Sequence, residues 1–155
     1  LYFLADVADD KPFINAQEGE KIWDGDSVEI AFGLNPSDDP ERTTFSPSDF
    51  QVCFSVKDPK GNNLSVWSWQ LGGPASGVIY ALKPNKRPRG YIVEAAIPWK
   101  TFVDFIPEPD MKISFNLALN DSDKKGKGRE VQMLWSGNSS FYLDPSMWGW
   151  LRFLE

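Results

Sequence analysis

"KIWDGDSVEIAF", Lys21 to Phe32, decides the fold. Its second half alternates: Val28, Ile30 and Phe32 fall on one face and Ser27, Glu29 and Ala31 on the other, the period-two signature of a half-buried β-strand. An Asp-Gly-Asp turn feeds this strand, with Trp23 just ahead of it, so a large ring sits in a loop and a carboxylate projects from the polar face. A core built by Val28, Ile30 and Phe32 accounts for neither residue.

The same period recurs on both sides. "LYFLADV" reads as a strand already under way at Leu1. Beyond the Pro-, Asp- and Ser-rich loop "NPSDDPERTTFSPSD", Phe50, Val52, Phe54 and Val56 alternate with Gln51, Cys53 and Ser55. The turn "DPKGNN" then hands over to "LSVWSWQL", which makes a hairpin. "GVIYALK" and "YIVEAAIPW" flank "PNKRPRG" as a second hairpin whose tip carries Lys86, Arg87 and Arg89 as a solvated basic group. "KTFVDFIPEPD" is interrupted by Pro107 and Pro109 and gives no more than a helical turn. "MKISFNLALNDSD" sets Ile113, Phe115, Leu117 and Leu119 against Ser114, Asn116, Ala118 and Asn120, and "REVQMLWS" and "WGWLRFL" complete the strands. Short strands, frequent turns and no sustained helical period predict an all-β, antiparallel sandwich of jelly-roll type, a single domain over residues 1–155.

Composition narrows the chemistry. A net charge of -6 argues against nucleic-acid and anionic-membrane partners, which recruit Lys and Arg. No apolar run approaches the roughly 20 residues of a membrane-spanning helix. With no histidine, Ser-His-Asp and Cys-His nucleophilic schemes, HExxH zinc sites and histidine-ligated haem all fall away. Cys53, the single cysteine, has no partner for an internal disulfide. Against these absences, 14% of the residues are aromatic and seven are tryptophan, more than one ordinary core requires.

Three kinds of site remain. Glu29 and Glu94 are mid-strand carboxylates of the sort a glycosidase pairs, with nothing in the sequence to fix their separation. Oxygen-rich turns at Asp9–Asp10 and at Asn120, Asp121 and Asp123 offer calcium ligands, while the same residues are also ordinary turn formers. The aromatic rings are the stronger lead. Trp67 and Trp69 share one strand face, Trp99 plugs a strand end, Trp135 reads as buried, and Trp148 and Trp150 share a face of the last strand; packing is the reading for all of them. Trp23 and Tyr142 lie instead in turn-rich segments, where a ring has less core to fill. A sugar ring presents an apolar face that stacks on such a plane and a rim of hydroxyls that seek carboxylate and amide partners.

"LYFLADVADD", "IWDGDSVEIAF", "YIVEAAIPWKTF", "FNLALNDSDKKGKGR" and "YLDPSMWGWLRF" resemble, in order from Leu1 to near Leu154, the strands of the family 9 carbohydrate-binding modules, relatives of the DOMON-like sandwiches. The resemblance implies a non-catalytic sandwich, appended to xylanases or other glycoside hydrolases, that grips the reducing ends of cellulose or xylan chains outside the cell or at its surface. It implies a terminal sugar held between two rings, here Trp23 and Tyr142, the latter standing where the family has tryptophan. It places the hydroxyl-binding glutamate on Glu29, a polar contact that is often arginine on Gln51, and an asparagine contact near Ser139. No cofactor is required; members of the family can bind a structural calcium, for which the acidic turns offer Asp9, Asp121 and Asp123. The family also carries a segment ahead of "LYFLADV" that supplies strands to the sandwich. The alternatives are an interaction domain of the same fold that has lost its sugar site and a glycosidase using Glu29 and Glu94.

Overall fold

A computed structural model describes residues 1–56, 65–85 and 89–154. The expected turn "DPKGNN" and the tip residues Lys86 and Arg87 lie outside the described residues. Among those described, the strands are β1 (Tyr2–Val7), β2 (Ser27–Gly33), β3 (Asp49–Ser55), β4 (Val66–Ser68), β5 (Ile79–Pro84), β6 (Tyr91–Ala96), β7 (Lys112–Asp121), β8 (Val131–Leu134) and β9 (Gly149–Arg152). They form two antiparallel sheets. The smaller has the order β1-β6-β5, and the larger runs β4-β3-β2-β7-β8, with β9 also pairing with β7.

The period-two sets predicted from the sequence face each other across the sandwich. Ile30, Phe32, Phe50, Val52, Phe54 and Ile113 meet Ala95 and Ile97 in one core cluster, and Val28, Tyr91 and Val93 continue it. Full burial of each large apolar side chain here contributes about 1.5–3 kcal/mol. Trp99 plugs one end as expected, its ring edge-on to Phe32, Phe105 and Phe153. The expected helical turn after it is a short 3-10 segment, Trp99–Thr101.

Three expectations about burial change. The strand β2 is buried on both faces rather than one, because the side away from the small sheet is roofed by loops. Ala31 and Ala118 on that side pack under Phe141 and Trp148 in a separate cluster. Trp135 is 56% exposed rather than buried: it follows the edge strand β8 and shares its half-exposed apolar side with Val131 and Met133. Trp148 precedes β9 and is buried against Phe45, whereas Trp150, on the same outward side, lies on β9 and is half exposed rather than packed.

Candidate functional site

The polar row of β2 forms a floor. Glu29 is 3% exposed, and both carboxylate oxygens are engaged. Oε2 accepts from Gln51 Nε2 on β3 at 2.7 Å, and Oε1 accepts from Asn120 Nδ2 on β7 at 2.5 Å. Burial pushes the Glu29 pKa up, while the Asn120 and Gln51 amides and the charge of Arg129 work against the rise. Asn120 extends the network, its Oδ1 accepting from Gln132 Nε2 at 2.9 Å and from Arg129 Nη1 at 3.1 Å. Two side-chain acceptors of this network carry no hydrogen bond among the described residues. Gln132 Oε1 is buried without a hydrogen-bond partner among the described residues, and Gln51, which donates its amide to Glu29, keeps its side-chain carbonyl.

Trp23 forms one wall. It belongs to the 3-10 turn Gly19–Asp24, which buries Ile22 and leaves Trp23 37% exposed. The Arg129 guanidinium sits 4.8 Å from the Trp23 ring centroid, a cation–π contact that backs the ring. The turn is clamped in place by Asp24, whose carboxylate accepts from the backbone N–H groups of Gly128 and Arg129, both at 3.1 Å, and from Gln17 Nε2 at 2.7 Å. Burial alone would raise the Asp24 pKa, but these donors outweigh it and hold the group below the usual carboxylate range. Next along, Gly25 has room for no side chain: a Cβ there would lie 2.5 Å from Asn15 Oδ1 and 2.7 Å from the carbonyl of Gly126.

Tyr142 lines the same cavity as Trp23. Its neighbour Phe141 is fully buried, and the Phe141 carbonyl accepts from Trp148 Nε1 at 2.8 Å. Anchoring one residue of the turn inward leaves the next, Tyr142, 52% exposed. Trp23, Glu29, Gln51 and Tyr142 thus line one cavity of about 430 Å³, together with Trp69, Gln70, Arg129, Gln132, Phe141 and Leu143. Ser139 is exposed and does not line it.

Six lining residues lie outside the set to which the sequence points: Trp69, Gln70, Arg129, Gln132, Phe141 and Leu143. Trp69 reads as packing in the sequence. Gln132 is the polar residue between Val131 and Met133, which gives it the same parity as Asn120 opposite; that alternation was the available signal. Arg129 lies in a charged turn and carries no local signal.

A second cluster lies where the acidic turns meet. One carboxylate oxygen each from Asp9, Asp26 and Asp121 falls within 4.8 Å of the others. Asp26 replaces the expected Asp123, which lies outside the trio, because the buried Asp-Gly-Asp turn brings Asp26 beneath the ends of β1 and β7. The Asp26 carboxylate accepts from the backbone N–H groups of Ile14 at 2.6 Å and Ser122 at 2.7 Å. Its pKa is pushed up to about 7, first by burial, with the Ile14 and Ser122 donors opposing and the charges of Asp9 and Asp121 adding. Asp9 and Asp121 are raised as well, burial again leading. Three hard oxygen donors with this mutual repulsion fit a divalent cation such as calcium.

The pairing of Glu29 with Glu94 does not survive. Glu29 sits on the outward side of the large sheet, whereas Glu94 lies on β6 of the small sheet, exposed and bonded to Lys83 Nζ at 3.0 Å. Carboxylates on opposite sides of a sandwich cannot flank one glycosidic bond.

A β-sandwich with an aromatic-walled cleft over a floor of buried, hydrogen-bonded carboxylate and amides is the architecture of a glycan-binding domain. The chain belongs to the family described as "Carbohydrate family 9 binding domain-like", whose sequence model matches residues 1–155. It is a non-catalytic carbohydrate-binding module. It is 35% identical over its whole length to endo-1,4-beta-xylanase A of Thermotoga neapolitana. It is also 30% identical over 90% of its length to endo-1,4-beta-xylanase A of Thermoanaerobacterium saccharolyticum. It spans only 13% of the first xylanase and 11% of the second. In fold it resembles a family 9 carbohydrate-binding module from Caldicellulosiruptor kristjanssonii, solved in complex with cellotriose (TM-score 0.75, 21% identity, 99% of this chain and 68% of that one). The same source gives a complex with glucose, matched with a TM-score of 0.72 at 22% identity over 99% of this chain and 70% of that one.

Proposed function

We propose that the module binds the ends of β-linked glucan or xylan chains, the terminal sugar stacking between Trp23 and Tyr142 while Glu29, Gln51 and Gln132 read its hydroxyls. The observation that carries this reading is Glu29, a buried carboxylate fixed by two amides at the bottom of an aromatic-walled cleft. Arg129 backs Trp23 and adds a cation to the rim. The cellotriose and glucose complexes of the related modules favour a glucan, and the xylanase relatives favour attachment to a glycoside hydrolase acting on polysaccharide outside the cell or at its surface. The preference for reducing ends comes with the family resemblance. Ser139 remains a contact only for a ligand that reaches over the rim of the cleft.

Calorimetric titration with cellobiose and xylobiose, each repeated after borohydride reduction of the terminal sugar, tests the reading. Binding of the native but not the reduced disaccharides supports a reducing-end site. If neither native disaccharide binds, the alternative of an interaction domain that has lost its sugar site takes over.

For the acidic trio we propose a structural calcium. Asp9 follows β1 of the small sheet, Asp26 precedes β2 and Asp121 ends β7 of the large one, so these carboxylates join the two sheets when a cation relieves their repulsion. Saturating calcium at about 100 times its dissociation constant would stabilise the fold by about 2.7 kcal/mol. At this chain length that corresponds to roughly 5–10 °C in the thermal midpoint, lost on chelation; an unchanged midpoint would remove the ion from the account.

A further inference from the structure

We infer that Trp69 is the stacking platform of a second sugar subsite, so that the cleft reads a chain of several units and not only its end. This rests on the carbohydrate-binding reading above and extends it along the ligand.

The shape of the cleft is the first argument. Its lining runs from Gln132 on β8, over Glu29 on β2 and Gln51 on β3, to Trp69 just past β4, and thus crosses the large sheet from edge to edge. Four strand spacings amount to about 19 Å. A six-membered ring of roughly 1.5 Å bonds is only about 3 Å across, so a ring seated between Trp23 and Tyr142 leaves the β4 end of the cleft open to the units that follow.

The second argument is how the β4 end is built. The β4 strand is only three residues long, and its last residue closes a tight loop, Ser68 and Gly73 exchanging backbone hydrogen bonds at 2.9 and 3.2 Å. Gly72, with φ +65, takes the left-handed conformation this loop requires. Trp67 pairs with Cys53 on the outward side of the sheet, and Trp69, in the turn just past β4, lines the cleft on that side. Gln70 then locks the loop to the floor: its Oε1 accepts from the backbone N–H of Gln51 at 2.8 Å, where the ladder to β4 has ended. A loop held in this way carries Trp69 at a set place along the cleft, which lowers the ordering cost on binding. The same bond leaves the Gln70 amide as a donor for the hydroxyls of the second unit at this end of the cleft, which Gln51 and Gln70 both line.

The test is calorimetric titration of glucose, cellobiose and cellotriose into the wild type, Trp69→Ala and Trp69→Phe, with thermal melts to establish that each variant is folded. The expected result is an affinity that rises with chain length in the wild type. In Trp69→Ala the ratio of cellotriose to glucose affinity falls by roughly five- to tenfold, and Trp69→Phe restores most of it. In amide-detected NMR, the indole N–H resonance that disappears in Trp69→Phe shifts with cellotriose and not with glucose. Two outcomes overturn the subsite alone: a wild type that binds glucose and cellotriose equally, or a Trp69→Ala variant with an unchanged ratio. A folded wild type that binds none of the three saccharides overturns the carbohydrate-binding reading and the subsite with it.

Discussion

The two outward faces of the sandwich carry hollows of nearly equal volume, about 430 Å³ over the large sheet and about 440 Å³ over the small one. Their chemistry is opposite. Over the small sheet the hollow is shallow, with Tyr2 90% exposed beside Leu4 and Ile79, and its one carboxylate, Glu94, already paired on the surface with Lys83. Over the large sheet the carboxylate is buried, its donors are fixed by neighbouring strands, and rings stand up on loops that are themselves clamped. Volume therefore does not make a site. Directional groups held in place beneath a water-shielded opening do, because a hydrogen bond at a desolvated, preorganised floor is worth more than the same bond at the surface.

Substitutions on the two faces separate them. The largest effect belongs to Glu29→Ala, which leaves the buried Gln51 amide without an acceptor and the Asn120 amide with Ser27 Oγ alone. Stability should fall by about 2–4 kcal/mol and saccharide affinity by more than about 100-fold; a variant that still binds as the wild type does would show that the floor reads nothing. Trp23→Ala comes next. Affinity should drop roughly 30- to 100-fold while circular dichroism is unchanged, since the ring is partly exposed and its loss opens no deep cavity. Collapse of the secondary structure would instead make Trp23 a core residue.

The pH response is smaller and has a definite sign. The folded-state pKa of Glu29 lies above its ordinary value. Between the two values the folded protein holds a proton that the unfolded chain has released, so the Glu29 contribution to stability is largest below the ordinary carboxylate range and falls as pH rises through the folded pKa. Saccharide affinity should run the other way, weakening as pH drops through that window because protonation removes an acceptor. Glu29→Gln should flatten that dependence, and persistence of the full slope in that variant would assign it to another group. The smallest effect is on the far face: Tyr2→Ser should alter stability by less than about 0.5 kcal/mol and leave calorimetric saccharide binding untouched. A fall in affinity there would make the second hollow a binding surface after all.

The strands were legible because alternation is local: β2, β3, β6 and β7 all show their inward residues in the sequence itself. The convergence of Trp23, Glu29, Gln51 and Tyr142 was legible only through the ordered family resemblance, since no spacing rule brings residues 23 and 142 together. What stayed hidden is what depends on neighbours far along the chain. Parity placed Trp67 and Trp69 on one face but could not say that loops leave that face open at its β4 end. Trp135 has the pattern of a core residue and is exposed because its strand lies at an edge, a property of sheet order. Asp26 looked like a turn former, and only the approach of Asp9 and Asp121 gives it a further character.

The run from Trp23 to Asp26 assigns a different duty to every residue: a ring on the wall of the cleft, a clamp on the 128–129 backbone, a gap that only hydrogen fills, and a member of the acidic trio. Such a run has no slack. A deletion of one residue would move the ring, the clamp and the carboxylate out of register together, and a drift at Gly25 would be met by Asn15 before it reached either site. A change in the length of this turn would therefore reach the cleft and the acidic cluster together, whereas a single substitution at Trp23 or at Asp26 touches one and spares the other.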